Sequence, residues 1–303
     1  VSGFLVADNS VYDAYKKGFD KYNVEYADFV TADEMSDETI KELENDNKVR
    51  IYDQRYYKLK ESKRNATIRV YGERKEVNKL CIMSGRLAKA DDEITLDRVF
   101  AKNNDYKVGD NIKIGDKDYK ITGFVAMPDY SCLFEDNADM MFDSVNFGVA
   151  SMTDSGLKKL KKSKLNYCYA VKYDKTPAND QKQKDMSDDF LESLVKKAVV
   201  ASFVPRYSNK AINFTGDDMG GDKAMFIMFD YIVIAILAFV FAITTSNTIV
   251  KEAGVIGTLR ASGYTRGEIV RHYMINPVIV TLISSIIGNV VGYTVMVKYM
   301  ASM

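Results

Sequence analysis

The sequence predicts an α+β domain followed by two transmembrane α-helices, on three observations. Two apolar stretches, Tyr231 to Val250 and Pro277 to Val297, are each about 20 residues long, which at 1.5 Å per residue spans a hydrocarbon core of roughly 30 Å. Nearly all the charge lies before Asp230. Within that charged region a strand, helix, strand pattern occurs twice, the mark of a small layered domain. Averages over the chain conceal the division: its 303 residues carry 42 basic and 42 acidic side chains, formal charge zero, and its mean hydropathy is −0.21. The pattern divides it into an outer domain over 1–223, a span over 224–250, a basic connector over 251–272 and a second span over 273–298.

The outer domain reads in order as follows. Val24 to Val30 has strand composition, and Thr31 with Glu34 forms a capping-box pattern opening a helix that runs to about Asn45. Val49 to Lys60, rich in Tyr and Ile, reads as the next strand. A second unit comprises Tyr167 to Tyr173, Asp185 to Lys197 and Val200 to Tyr207, its helix carrying Phe190, Leu191, Leu194 and Val195 on one side. A small β-rich insertion lies between them, at about 80–165. Its strand candidates, Ile94 to Leu96, Asn111 to Ile114 and Tyr119 to Val125, are punctuated by the turn signals Gly109-Asp110 and Gly115-Asp116. From Met127 to Phe147 the apolar residues follow neither period, and no element is assigned there.

Motifs for chemistry are missing. The sole histidine, His272, lies beside the second span, so the outer domain has no nucleophile–histidine relay. Neither a close Cys/His cluster for zinc nor a phosphate-cradling G-x-x-x-x-G-K-[ST] loop occurs. We therefore expect no catalytic residue, metal or cofactor in this chain, and any nucleotide-driven work must use another one. Asp91, Asp92 and Glu93, and likewise Asp217, Asp218 and Asp222, lack the ligand order of a calcium loop and read as solvated. Cys81, Cys132 and Cys168 are odd in number; a Cys132–Cys168 bridge is allowed, and three separate thiols are the expectation. Electroneutrality argues against a nucleic-acid partner, and Lys158, Lys159, Lys161, Lys162 and Lys164 read as a solvated helix face.

Charges beside the spans set the orientation. Lys251, Arg260, Arg266 and Arg271 lie in the connector, whereas Asp217, Asp218, Asp222 and Asp230 line the approach to the first span. Short basic loops stay in the cytoplasm, which puts the outer domain outside. Asp230 then sits at the outer interface, where a carboxylate caps or snorkels. Ala238, Ala242 and Ser246 on the first span and Ser284, Gly288 and Gly292 on the second fall four apart, a spacing that lets helix backbones approach closely. Val1 in place of an initiator Met, with no export signal, leads us to expect a further span upstream.

The connector carries the most specific pattern. The run Lys251 to Ile269 resembles the signature loop of the FtsX-like (MacB-like) ABC transporter permeases, of type E-x-G-x-L-R-A-x-G-x-[ST]-R-x-x-I. Glu252, Leu259-Arg260-Ala261, Gly263, Thr265, Arg266 and Ile269 match, with extra spacing between Glu252 and Leu259 around Gly254 and Gly257. Ser84-Gly85-Arg86-Leu87, Asp92-Glu93-Ile94, Phe100-Ala101-Lys102, Val108-Gly109-Asp110 and Met127-Pro128-Asp129-Tyr130 are similar to the extracytoplasmic core domain of the same family. The resemblance implies a fragment lacking the first span and everything after the third. It further implies a cytoplasmic ABC ATPase subunit as partner, besides membrane lipid and a second permease copy or half. Glu252, Gly257, Leu259, Arg260, Gly263, Arg266 and Ile269 would form the coupling segment. Val255, Ile256 and Leu259 would offer an apolar face, and Gly254, Gly257 and Gly263 tight turns. The implied work is export, extraction of lipid or lipoprotein, or peptide resistance; the alternative is a membrane-anchored extracellular sensor or regulator of a cell-wall hydrolase.

Overall fold

The computed structural model describes residues 2–160 and 164–296. Lys161, Lys162 and the end of the second expected span, from Val297, lie outside the described residues. The chain forms two compact units: residues 16–215 make one, and the N-terminal residues up to Tyr15 join those from Gly216 onward in the other.

Helix α1 (Ser2–Lys21) comes first. Strand β1 (Ala27–Thr31) follows, with an alternating burial pattern, then helix α2 (Asp37–Asn47) and strand β2 (Val49–Asp53). The expected capping box at Thr31 is not what opens α2. Thr31 is still in the strand, paired with Tyr167, and Ser36 caps the helix by accepting from the Thr39 amide at 3.1 Å. Asp37 and Glu38 then place negative charge on the first turn, where the helix dipole favours it.

The stretch expected as one strand from Val49 to Lys60 is two, β2 and β3 (Tyr56–Lys60), broken at Gln54 and Arg55. After it come β4 (Thr67–Tyr71), β5 (Cys81–Gly85), β6 (Glu93–Asp97), α3 (Arg98–Asn103), β7 (Asn111–Ile114), β8 (Lys117–Ala126), β9 (Phe147–Ser151) and α4 (Asp154–Lys158). The second unit then follows as β10 (Leu165–Tyr173), α5 (Asp180–Val195) and β11 (Val200–Pro205). The β-rich part thus begins at Tyr56 and not near residue 80, because β3 turns away from β2 to pair with β4.

All eleven strands join one sheet, ordered β11-β1-β10-β3-β4-β9-β6-β8-β5, with β2 also on β10 and β7 on β8. β1, β2, β10 and β11 pair antiparallel in the order β11-β1-β10-β2, which is the split β-α-β arrangement of ferredoxin-like folds with residues 54–164 inserted at its centre. β10 is nine residues long and serves both halves: Tyr169 to Tyr173 pair with β2, and Leu165 and Asn166 with β3. Helices α2 and α5 bury Leu43, Phe190 and Leu194 against Phe29, Tyr169 and Val171. A second core under the insertion is built from Ile68, Ile94, Leu96, Phe100, Ile121 and Val149. The three thiols are separate, Cys168 buried and Cys81 and Cys132 half-buried.

Helix α6 (Lys210–Lys251) is 42 residues long, about 63 Å at the helical rise, so the expected span is only its second half. Asn209 Oδ1 accepts from the Ile212 amide at its start. Beyond the globular unit, a Cβ on Gly216 would fall 2.8 Å from Tyr15 Cε1, so glycine is what lets α1 and α6 meet there. Helices α7 (Ala253–Ala261) and α8 (Arg266–Val291) come next, and a π-helical turn, Gly292–Met296, follows α8.

Candidate coupling segment

The connector between the apolar helices is itself helical and not an open loop. Helix α6 ends at Lys251, Glu252 takes φ −97° and ψ 11°, and α7 begins at once. At the far end the Gly263 amide donates to the Arg260 carbonyl (3.2 Å) and the Tyr264 amide to that of Leu259 (3.1 Å). These two bonds form a Schellman stop, which requires a left-handed residue, and Gly263 supplies it with φ +97°. Two residues later Thr265 caps α8. Its hydroxyl accepts from the Glu268 amide at 3.3 Å, and Glu268 Oε2 accepts from the Thr265 amide at 2.8 Å, a complete capping box.

This geometry divides the expected coupling residues by role. Gly263 and Thr265 make the corner between two helices. Gly254 and Gly257 lie inside α7 with helical backbone, so the expectation of turns at those two positions is corrected. Glu252 accepts a hydrogen bond from Tyr273 Oη, at 2.5 Å, which ties the start of α7 to α8. Val255 and Leu259 are 58% and 37% exposed, and Ile256 and Ile269 are half-buried. Lys251, Arg260, Arg266 and Arg271 make no ion pair among the described residues. The segment therefore offers apolar side chains and unneutralised guanidinium groups on a frame fixed by two backbone motifs. Sequence reasoning missed the corner, although S-G-Y-T-R-G-E spells a helix stop followed by a capped start.

The acidic runs are accounted for inside the fold. Asp91 accepts from Lys159 Nζ at 2.5 Å and from Ser155 and Thr153, bonds that hold its carboxyl down at about 2. Glu93 is forked onto Arg86 and accepts the Lys89 amide, and it too is lowered to about 2. Asp217, Asp218 and Asp222 lie within α6. Among the described residues no group of three or more His, Cys, Asp or Glu is placed to hold a metal ion.

A polar cluster not anticipated from the sequence lies inside the globular unit. A cavity of about 200 Å³ is lined by Glu25, Asp28, Arg69, Arg74, Asp129 and Tyr130, among others. Arg74 pairs with Asp129 at 2.6 Å, their side chains 2% and 7% exposed. Burial, with Asp28 and Asp129 adding to it, raises the Glu25 carboxyl well above its usual range, and burial pushes Asp28 up to about 7 against the pull of Arg69.

Both apolar helices are exposed along their hydrophobic windows, 0% of which is buried. The faces bearing Ala238, Ala242, Ser246, Ser284 and Gly288 are open, and a Cβ on Gly288 would meet nothing within 4 Å. Gly292 is buried in the π-helical turn. Two apolar helices joined by a basic corner, with a folded α+β unit beyond the acidic end, define a multi-pass membrane protein with a large extracytoplasmic domain.

The membrane part has relatives. Residues 227–302 match the FtsX-like permease C-terminal family, so the resemblance read from the connector is borne out over this quarter of the chain. Two solved structures are similar to the rest. One is the periplasmic region of MacB from Actinobacillus actinomycetemcomitans, 14% identical with a TM-score of 0.34, covering 63% of this chain and 91% of that one. The other is the extracellular domain of the ABC-type transporter YknZ from Gram-positive bacteria, 11% identical with a TM-score of 0.34, covering 58% of this chain and 99% of that one. No curated protein sequence matches. The two structural likenesses are distant, and the assignment rests on the family match.

Proposed function

We propose that the chain is the permease subunit of an ABC transporter, and that α7 with the first turn of α8 is where a separate cytoplasmic ATPase docks. The carrying observation is the exposure of Val255, Leu259, Arg260 and Arg266 on a corner held by the Gly263 stop and the Thr265 cap, inside the segment that matches the permease family. Leu259 and Val255 enter an apolar groove of the partner, and Arg260 and Arg266 meet its acidic groups or the lipid headgroups. Glu252 and Ile269 keep the corner in register, and Gly257 leaves room for close approach. ATP-driven closure of the partner then shifts α6 and α8, because the two helices are continuous with the docking surface. The small-residue faces of α6 and α8 receive helices of a second permease copy or half. The cargo work of the outer domain is export, or extraction of lipid or lipoprotein, or removal of a peptide.

Leu259→Asp combined with Arg260→Glu tests the reading. The full protein carrying both changes, reconstituted in lipid with its co-purified ATPase, is expected to insert normally and lose stimulation of ATP hydrolysis by about tenfold or more, as expected when buried apolar and charged anchors are lost together. Unchanged stimulation, or no ATPase co-purifying with the unaltered chain, removes the proposal.

A further inference from the structure

Residues 127–146 carry no regular element, yet they fasten the sheet to the first turns of α6. On the sheet side, Arg69 of β4 donates from Nη1 to Tyr130 Oη at 2.9 Å and from Nη2 to the Glu135 carbonyl. Tyr71 and Tyr130 share a hydrogen bond of 2.7 Å, and Arg74 holds Asp129. On the helix side, Ser131 Oγ donates to the carbonyls of Ala211 and Ile212, both at 2.9 Å. Asn137 Oδ1 accepts from the Lys210 amide at 2.8 Å, and Lys210 Nζ donates to the Asp139 carbonyl at 2.7 Å. Phe134, Phe142 and Phe214 close the contact, their ring centroids 5.3 to 6.0 Å apart.

The position of this segment gives it a distinct job. The chain itself joins α6 to the sheet through residues 206–209, but that connection leads to β11, which lies at one edge. The segment 127–146 leads instead to β4, in the middle of the strand order. A displacement of α6 arriving only at an edge strand bends that strand; one arriving also at a central strand moves the sheet as a body. The contacts suit the purpose, since the guanidinium groups of Arg69 and Arg74 hold fixed planar geometry and are stacked on Tyr56 and Tyr71 with centroid distances of 5.0 and 4.1 Å.

We propose that residues 127–146 act as a strap that transmits displacement of α6 into the centre of the extracytoplasmic sheet. The proposal deepens the permease reading and rests on it for the source of the displacement. Its test is amide hydrogen exchange on the full chain in lipid nanodiscs, a readout that needs no ATPase, so failure of the strap and failure of the coupling proposal are separate results. Tyr130→Phe removes the strap's hydroxyl from Arg69 and Tyr71 and touches nothing in α6. Exchange at residues 210–215 is expected to rise about fivefold to tenfold, with α2 and α5 unchanged, as loss of a buried hydrogen bond in one cooperative unit produces. Ser131→Ala with Asn137→Ala, cutting the other end, is expected to release the same amides and, reciprocally, those of 129–136. Increased exchange confined to the strap in Tyr130→Phe, with 210–215 as slow as in the parent, overturns the proposal. So does a release of 210–215 in the second variant that leaves 129–136 untouched.

Discussion

At the scale of single residues, the insertion depends on close contacts that a methyl group would break. Gly148 in β9 faces Phe100, and a Cβ there would lie 2.5 Å from Cγ of the ring, in a core where Phe100 is 1% exposed. Gly148→Ala is therefore expected to destabilise the outer domain by about 1–3 kcal/mol, the usual cost of overpacking, and a thermal melt of the full protein reads it directly. An unchanged midpoint would mean that the ring has another rotamer to occupy. The same scale explains where sequence reading stopped short. Thr31 and Ser36 both have the chemistry of a helix cap, and strand pairing of Thr31 with Tyr167 decides between them. That pairing joins residues 136 positions apart in the chain, beyond the reach of any local pattern.

At the scale of elements, the corner between α7 and α8 was legible in S-G-Y-T-R-G-E as a helix stop and a capped start, and the sequence reading missed it. Its glycines suggested tight turns, but only Gly263 needs the left-handed backbone, and the hydrogen bonds around it make a fixed stop. Thr265→Ala should loosen the start of α8 by about 1 kcal/mol, seen as a several-fold rise in amide exchange over residues 266–269. Exchange as slow as in the parent would show that lipid or a partner holds the turn without the cap. Strands β4 and β9 escaped notice for a related reason. Both are buried along most of their length, so neither alternates, and a short buried run cannot be told from a helix fragment by period. The two β-α-β units were readable because their helices have one wet face. The strand order that weaves them into one sheet was not, since order is set by packing between distant segments.

At the scale of the whole molecule, the buried carboxyls link stability to pH. Glu25 and Asp28 are raised in the folded state above their unfolded values, Asp28 to about 7, so the fold holds protons that the unfolded chain releases. The contribution of Asp28 is complete below about pH 4, the unfolded range, and is lost as pH rises through 7, and Glu25 acts in the same direction. The melting midpoint of the outer domain is expected to fall by a few degrees between pH 5 and pH 8, and Asp28→Asn should flatten that slope, since on the order of 1 kcal/mol is at stake. A midpoint that rises over this range would contradict the assignment of a protonated pair. Asp91 and Glu93, lowered to about 2, add a separate loss only in strong acid.

The length of α6 has a mechanical result. The part of α6 within one unit, from Gly216 to Lys251, is about 54 Å long, and such a rod pivoting at one end swings its tip by about 1 Å for each degree of tilt. A rotation too small to open a gap between neighbouring spans would still carry the far end of that stretch through the width of a hydrogen bond.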